Sequence, residues 1–172
     1  MFADGLKPDD LDMFVRYYLE LPLPLEEVKE TLLQSPQDWV PGLAEDAEAR
    51  SELLLIDVGF GPSGRRVGKR VQIEVGRPFF LASKTILPLM WRATGAEALF
   101  PSLEADLEVA SLSRNRTQLS ISARYSPPLG AVGRAIDKAL LHRVAEATIK
   151  DFLDRTGEVI LARTLSSSPA GS

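Results

Sequence analysis

The sequence predicts an α+β fold: a curved antiparallel sheet of about six strands around a long C-terminal helix, with two short helices between the first and second strands. Three observations carry this. Apolar and polar residues alternate with period two in most of the strand-forming segments, five of these segments follow one another directly, and the chain switches to helical spacing after Pro127-Pro128. A meander with one apolar face needs a cover, and the last helix is the only element large enough to supply it.

The first strand is "MFVRYYLEL", with Val15, Tyr17, Leu19 and Leu21 on one face. "PLEEVKETLLQSPQDW" then reads as two short helices. Pro24 is tolerated at a first helical position, Glu26 and Glu27 favour the positive end of the helix dipole, and Leu25, Val28 and Leu32 form the apolar stripe. Ser35-Pro36 reads as the cap of the second helix. "ELLLIDVGF", residues 52–60, is apolar on both faces and is assigned as the second strand. "KRVQIEV" alternates as the third, with Val71, Ile73 and Val75 on one face. "ASKTILPLMWRA" is the fourth, with Leu87, Leu89, Trp91 and Ala93 as the inward set.

The fifth and sixth strands give the clearest signal. Leu103, Ala105, Leu107 and Val109 oppose Glu104, Asp106 and Glu108, while Leu119, Ile121, Ala123 and Tyr125 oppose Gln118, Ser120, Ser122 and Arg124. "SRNR" between them is turn chemistry, so the two form a hairpin. The proline pair ends the sixth strand and opens a helix expected to run from about Leu129 to a stop at Gly157. One domain is expected over residues 1–165, followed by a flexible tail, "SSSPAGS", over 166–172.

Composition narrows the function classes. In 172 residues, 45% hydrophobic content suffices for one sizeable core. The net charge of -4 argues against a nucleic-acid partner and against stable insertion in an anionic membrane. The absence of cysteine fits a cytoplasmic location, and "MFADGLKPDDLDMF" shows no basic region leading into an apolar run, so no secretory signal is expected. Asn115-Arg116-Thr117 matches a glycosylation pattern but is read as a turn.

Most chemical motifs weaken on inspection. "GFGPSG", residues 59–64, matches G-x-G-x-x-G, but the strand pattern of "RRVGKRVQIEV" follows where a dinucleotide site needs a helix N-terminus. Arg65, Arg66, Lys69 and Arg70 read as a solvated hairpin tip. One histidine and no cysteine leave no zinc or iron set, and "EDAEARSE" lacks the spacing of a calcium loop. No G-x-S-x-G elbow presents a serine to His142. Neither a metal nor an organic cofactor is expected.

The order of elements, together with "WRATGAEALFP" and "YSPPLGAVGRAIDKALLHRVAEATIKDFL", resembles the START-like superfamily (polyketide cyclase/START, or SRPBCC), in particular its small uncharacterised bacterial members. The resemblance spans about residues 13–156. It implies a helix-grip fold with an apolar cavity between sheet and helix. The expected lining is Tyr17, Leu89, Trp91, Leu107, Tyr125, Ile136, Leu140 and Val144, with no catalytic residue assigned.

The expected function is to bind or carry a small apolar ligand such as a lipid, a polyketide-like molecule or an isoprenoid. The alternatives are a metal-free enzyme of aromatase/cyclase or hydratase type in the same cavity, with a tyrosine or His142 as acid or base, and a cavity filled by side chains in a protein that works through its surface. On the last helix, Leu129, Val132, Ile136, Leu140, Val144 and Ala147 share one arc, expected to face sheet and cavity. Leu141, Ala145, Ile149 and Phe152 form a weaker arc for the N-terminal helices or a partner subunit, which leaves room for a homodimer. His142 falls outside both arcs and should be partly exposed.

Overall fold

The computed structural model describes residues 13–57, 70–94, 102–126 and 138–167. In chain order it contains β1 (Met13–Leu21), α1 (Leu25–Leu33), α2 (Pro36–Asp57), β2 (Arg70–Val75), β3 (Phe79–Phe80), β4 (Lys84–Thr94), β5 (Ser102–Ser113), β6 (Arg116–Ser126) and α3 (Lys138–Ser167). All six strands belong to one antiparallel sheet ordered β1-β6-β5-β4-β2, with β3 also paired to β4. With a long last helix packed on it, this is the expected helix-grip arrangement.

Alternation places the strand faces as expected. Val15 and Leu21 of β1, Leu87 and Leu89 of β4, Leu103, Ala105, Leu107 and Val109 of β5, and Leu119, Ile121, Ala123 and Tyr125 of β6 are all buried. Glu104, Asp106 and Arg124 alternate with them on the exposed outer face. The β5–β6 hairpin closes through a two-residue turn at Arg114-Asn115, with an irregularity between Ser111 and Ser113. β2 and β3 lie end to end along the same edge of β4. Gly76, Arg77 and Pro78 separate them, and the Gly76 amide donates to the Pro88 carbonyl at 2.8 Å.

Three expectations are corrected. Residues 52–57 are helical rather than the second strand, because α2 is one helix of 22 residues and not a short one. A segment apolar on both faces carries no period, so it fits either element, and Pro41-Gly42 obscures the helix further. Packing overrides that local signal: Val40 and Ala44 are fully buried and Trp39 nearly so. The place left in the six-strand count is taken by the short β3.

The second correction concerns where the last helix stops. It continues through Gly157 to Ser167. A Cβ built on Gly157 would lie 3.3 Å from both methyl carbons of Leu19 and 3.5 Å from Leu21 Cδ2, so this glycine marks close approach to β1 and not a cap. Residues 127–137, where the helix was expected to begin, lie outside the described residues, as do the glycine-rich segment 59–64 and the cations at 65, 66 and 69.

The third correction concerns the helix face. The described part of α3 packs on β1 and β6, α1 and α2 also contact it, and α2 reaches β2. Ala145, Ile149, Phe152, Leu153, Thr156 and Ile160 are buried, so the arc expected to be the weaker one is deeply seated; of the other arc, Val144 is buried, Leu140 and Ala147 are partly so, and residues 129, 132 and 136 lie outside the described residues. The buried threonines stay satisfied within the helix: Thr148 donates to the Val144 carbonyl and Thr156 to that of Phe152, each at 2.8 Å.

Side-chain hydrogen bonds fix the corners. Thr117 Oγ1 donates to the Leu23 carbonyl at 2.8 Å where β1 passes into α1. Ser35, at φ 48°, turns the chain into α2, whose Pro36 stands at the first helical position as expected. Trp39 Nε1 donates to the Gln34 carbonyl at 3.3 Å, and the Arg163 guanidinium lies 5.0 Å from the Trp39 ring, tying the end of α3 to the start of α2.

Candidate functional site on the inner sheet face

Strand register orders the inner face into rows. The first row runs Met13, Tyr125, Leu103, Trp91, Ile73; the second Val15, Ala123, Ala105, Leu89, Val75; the third Tyr17, Ile121, Leu107, Leu87. The rows are built of apolar and aromatic side chains, with a tyrosine in the first and in the third. The second places two alanines side by side on the central strands β5 and β6, with larger side chains in the rows on either side. The backbone there carries a low floor, because a methyl group projects far less than the neighbouring Leu, Ile and Tyr side chains.

The first turns of α3 meet this end of the sheet. Val144 is buried and Leu140 partly so. Tyr125 is 1% exposed, and its hydroxyl donates to the Met13 sulfur at 2.9 Å. Burial, and secondarily the negative charge of Glu146, push its pKa up to about 12 from 10.0. The hydroxyl is therefore a neutral donor near neutral pH. It is the polar group in the first row.

That shift has a measurable consequence. Below pH 10 the Tyr125 hydroxyl is protonated in folded and unfolded chains alike and contributes no pH dependence. Between pH 10 and 12 the unfolded chain loses this proton while the folded one keeps it, so stability falls as pH rises. About two pKa units correspond to a loss of roughly 2 kcal/mol by pH 12. Ultraviolet titration is expected to show one tyrosine ionising late, and that delayed step should vanish in Tyr125→Phe. A titration in which Tyr125→Phe removes a step near pH 10 would contradict the assignment.

Of the residues expected to line the cavity, Tyr17, Leu89, Leu107 and Tyr125 share the inner face, and Leu140 and Val144 lie on the helix near it. Trp91 occupies the first row by register, opposite Leu103 and Ile73, but its side chain lies outside the described residues, as does all of Ile136. Tyr17 sits at the β1 edge, where Lys150 Nζ lies 5.3 Å from its ring centroid. Lys150 also contacts Asp154 at 2.5 Å; hydrogen bonds to Asp154 and then to Tyr17 raise its pKa. Sequence reading placed Ala105 and Ala123 on the inner face but missed them as floor residues, because only register makes them neighbours.

His142 is partly exposed, with its side chain at 41% and Nε2 3.2 Å from Glu146 Oε1 one turn on. That partial exposure is as expected. Among the described residues, no group of three or more histidine and acidic side chains is placed to hold a metal ion. Two open concavities lie elsewhere, one of about 420 Å3 between the start of α2 and the end of α3, the other of about 370 Å3 on the outer sheet face. No described helix is long and apolar enough to cross a membrane.

No family model and no curated protein matches this sequence. Among solved structures, a conserved protein from Geobacillus kaustophilus is 16% identical, with 87% of this chain and 96% of that chain covered and a TM-score of 0.51. The aromatase/cyclase Zhui from Streptomyces sp. R1128 is 11% identical over 92% and 97% of the two chains, with a TM-score of 0.46. The first likeness is one of fold; the second is too distant to bear on the site.

Proposed function

Starting from the helix-grip fold of the START-like superfamily, we propose that this protein binds a small apolar molecule between the inner sheet face and α3. The observation that carries the reading is the row pattern: a continuous apolar face, lowered in its second row by the adjacent Ala105 and Ala123, and bordered by the neutral hydroxyl of Tyr125. Burial of the ligand's apolar surface would supply affinity at about 25 cal/mol per Å2, and the Tyr125 oxygen, whose proton goes to the Met13 sulfur, would accept a hydrogen bond from one polar end.

A carrier role is favoured over catalysis because the groups near this face are ill suited to proton transfer. Tyr125 holds its proton too tightly for a general base near neutrality, and His142 is partly exposed and engaged with Glu146. The ligand class is an elongated or ring-bearing hydrocarbon skeleton with few polar groups, as in a lipid, an isoprenoid or a polyketide-like molecule.

Native mass spectrometry of freshly purified protein is expected to reveal a co-purifying apolar molecule, or saturable uptake of an apolar fluorescent probe after delipidation. Failure of varied apolar probes to saturate the protein would overturn the reading.

A further inference from the structure

At one end of the sheet the chain exposes apolar side chains in succession. Phe79 and Phe80 of β3 and Leu81 beyond them are 60%, 62% and 54% exposed. The tip is ordered by pairing: Phe79 stands opposite Ile86, Phe80 opposite Thr85, and the Leu81 amide donates to the Lys84 carbonyl at 2.9 Å. It adjoins the β5–β6 hairpin, since the Ser111 amide donates to the Ser83 carbonyl at 3.2 Å, and there Leu112 is a further 48% exposed.

Cations stand near these four side chains along the chain: Arg77 two residues before Phe79, Lys84 three after Leu81, and Arg114 two after Leu112. Lys84 holds Glu108 at 2.9 Å and Arg116 holds Glu20, so these two outer-face carboxylates are paired; Asp106 follows on the same face, opposite Pro88. Arg77 and Arg114, both exposed, have no ion-pair partner among the described residues. An apolar tip with surplus positive charge stands on a protein whose net charge is -4. That polarity would turn this end toward an anionic layer.

We propose that the β3–β4 tip docks on an anionic phospholipid surface, with Phe79, Phe80 and Leu81 entering the headgroup region and Arg77 and Arg114 meeting lipid phosphates. Four half-exposed side chains offer roughly 400 Å2, about half of what one partner gives to a stable protein interface, which disfavours a second copy of the chain. A bilayer sets no such threshold. It accepts a small apolar wedge with weak, reversible affinity, and the acidic remainder of the protein keeps the contact transient. This docking does not depend on what the inner face binds.

Co-sedimentation of the full chain with vesicles of phosphatidylserine and phosphatidylcholine tests it. Binding is expected at low ionic strength, at least fivefold weaker to phosphatidylcholine alone, and lost at 0.5 M salt, where charges are screened within a few ångströms. Phe79→Ser with Phe80→Ser should weaken binding at least tenfold and Arg77→Glu about fivefold, with melting temperatures unchanged. Because the chain has no cysteine, Leu81→Cys takes one environment-sensitive dye, whose emission should shift to the blue on anionic vesicles. Absence of binding, binding indifferent to these variants, or self-association that the double variant abolishes would each overturn the proposal.

Discussion

Gly157→Val is expected to lower stability by about 2–3 kcal/mol, or roughly 4–12 °C in Tm for a chain of this size. Gly157 sits inside a helix, where glycine is itself about 1 kcal/mol less favourable than alanine. It is accommodated because α3 approaches β1 so closely that an added Cβ would stand 3.3 Å from two carbons of Leu19. Alanine therefore sets two comparable effects against each other, and Gly157→Ala should stay within about 1 kcal/mol of the parent. Valine adds two more carbons and little further propensity, so crowding wins. Denaturant melts measure both variants. Adding Leu19→Ala should recover part of the loss in Gly157→Val, since the two sites touch. A valine variant as stable as the parent would mean that α3 is not seated on Leu19.

The largest effect on binding is expected from Ala105→Phe. Ala105 pairs with Ala123 on one side and Leu89 on the other, at the lowest part of the inner face. A ring there would fill the space that the proposed ligand needs, so the affinity for an apolar probe should fall at least tenfold. Melting of the ligand-free variant separates two causes. Where the ring enters ligand space, Tm holds; where it forces apart packed side chains, overpacking costs about 1–3 kcal/mol. Undiminished probe affinity together with a lower Tm would place the ligand elsewhere.

The sheet was legible because half-buried strands must alternate. In β5 and β6 every second side chain meets the core, and composition records that directly. Residues 52–57 were not legible, since an apolar run without period fits helix and strand equally and the deciding contacts lie on other elements. Gly157 misleads for a related reason. Its local meaning is a helix end, whereas its tertiary meaning is proximity to Leu19, 138 positions earlier in the chain. The candidate site divides in the same way. Tyr17, Leu89, Leu107 and Tyr125 follow from alternation alone, while the alanine floor exists only once β5 and β6 are set in register. The exposed Phe79-Phe80-Leu81 tip gave no periodic signal at all.

The pairing of β1 with β6 and α3 bears on how the chain folds as it is made. Tyr125 reaches Met13 across 112 positions, and Thr31 meets Thr164, at 3.2 Å between hydroxyls, across 133. On the ribosome β1 emerges long before any of its partners, while the β5–β6 hairpin finds its own pairing within a few residues and can close in microseconds. Such distant contacts raise the contact order and slow the final step. Until α3 leaves the exit tunnel, Val15, Leu19 and Leu21 have nothing to rest against. Over that interval β1 is the segment of the nascent chain most in need of a chaperone.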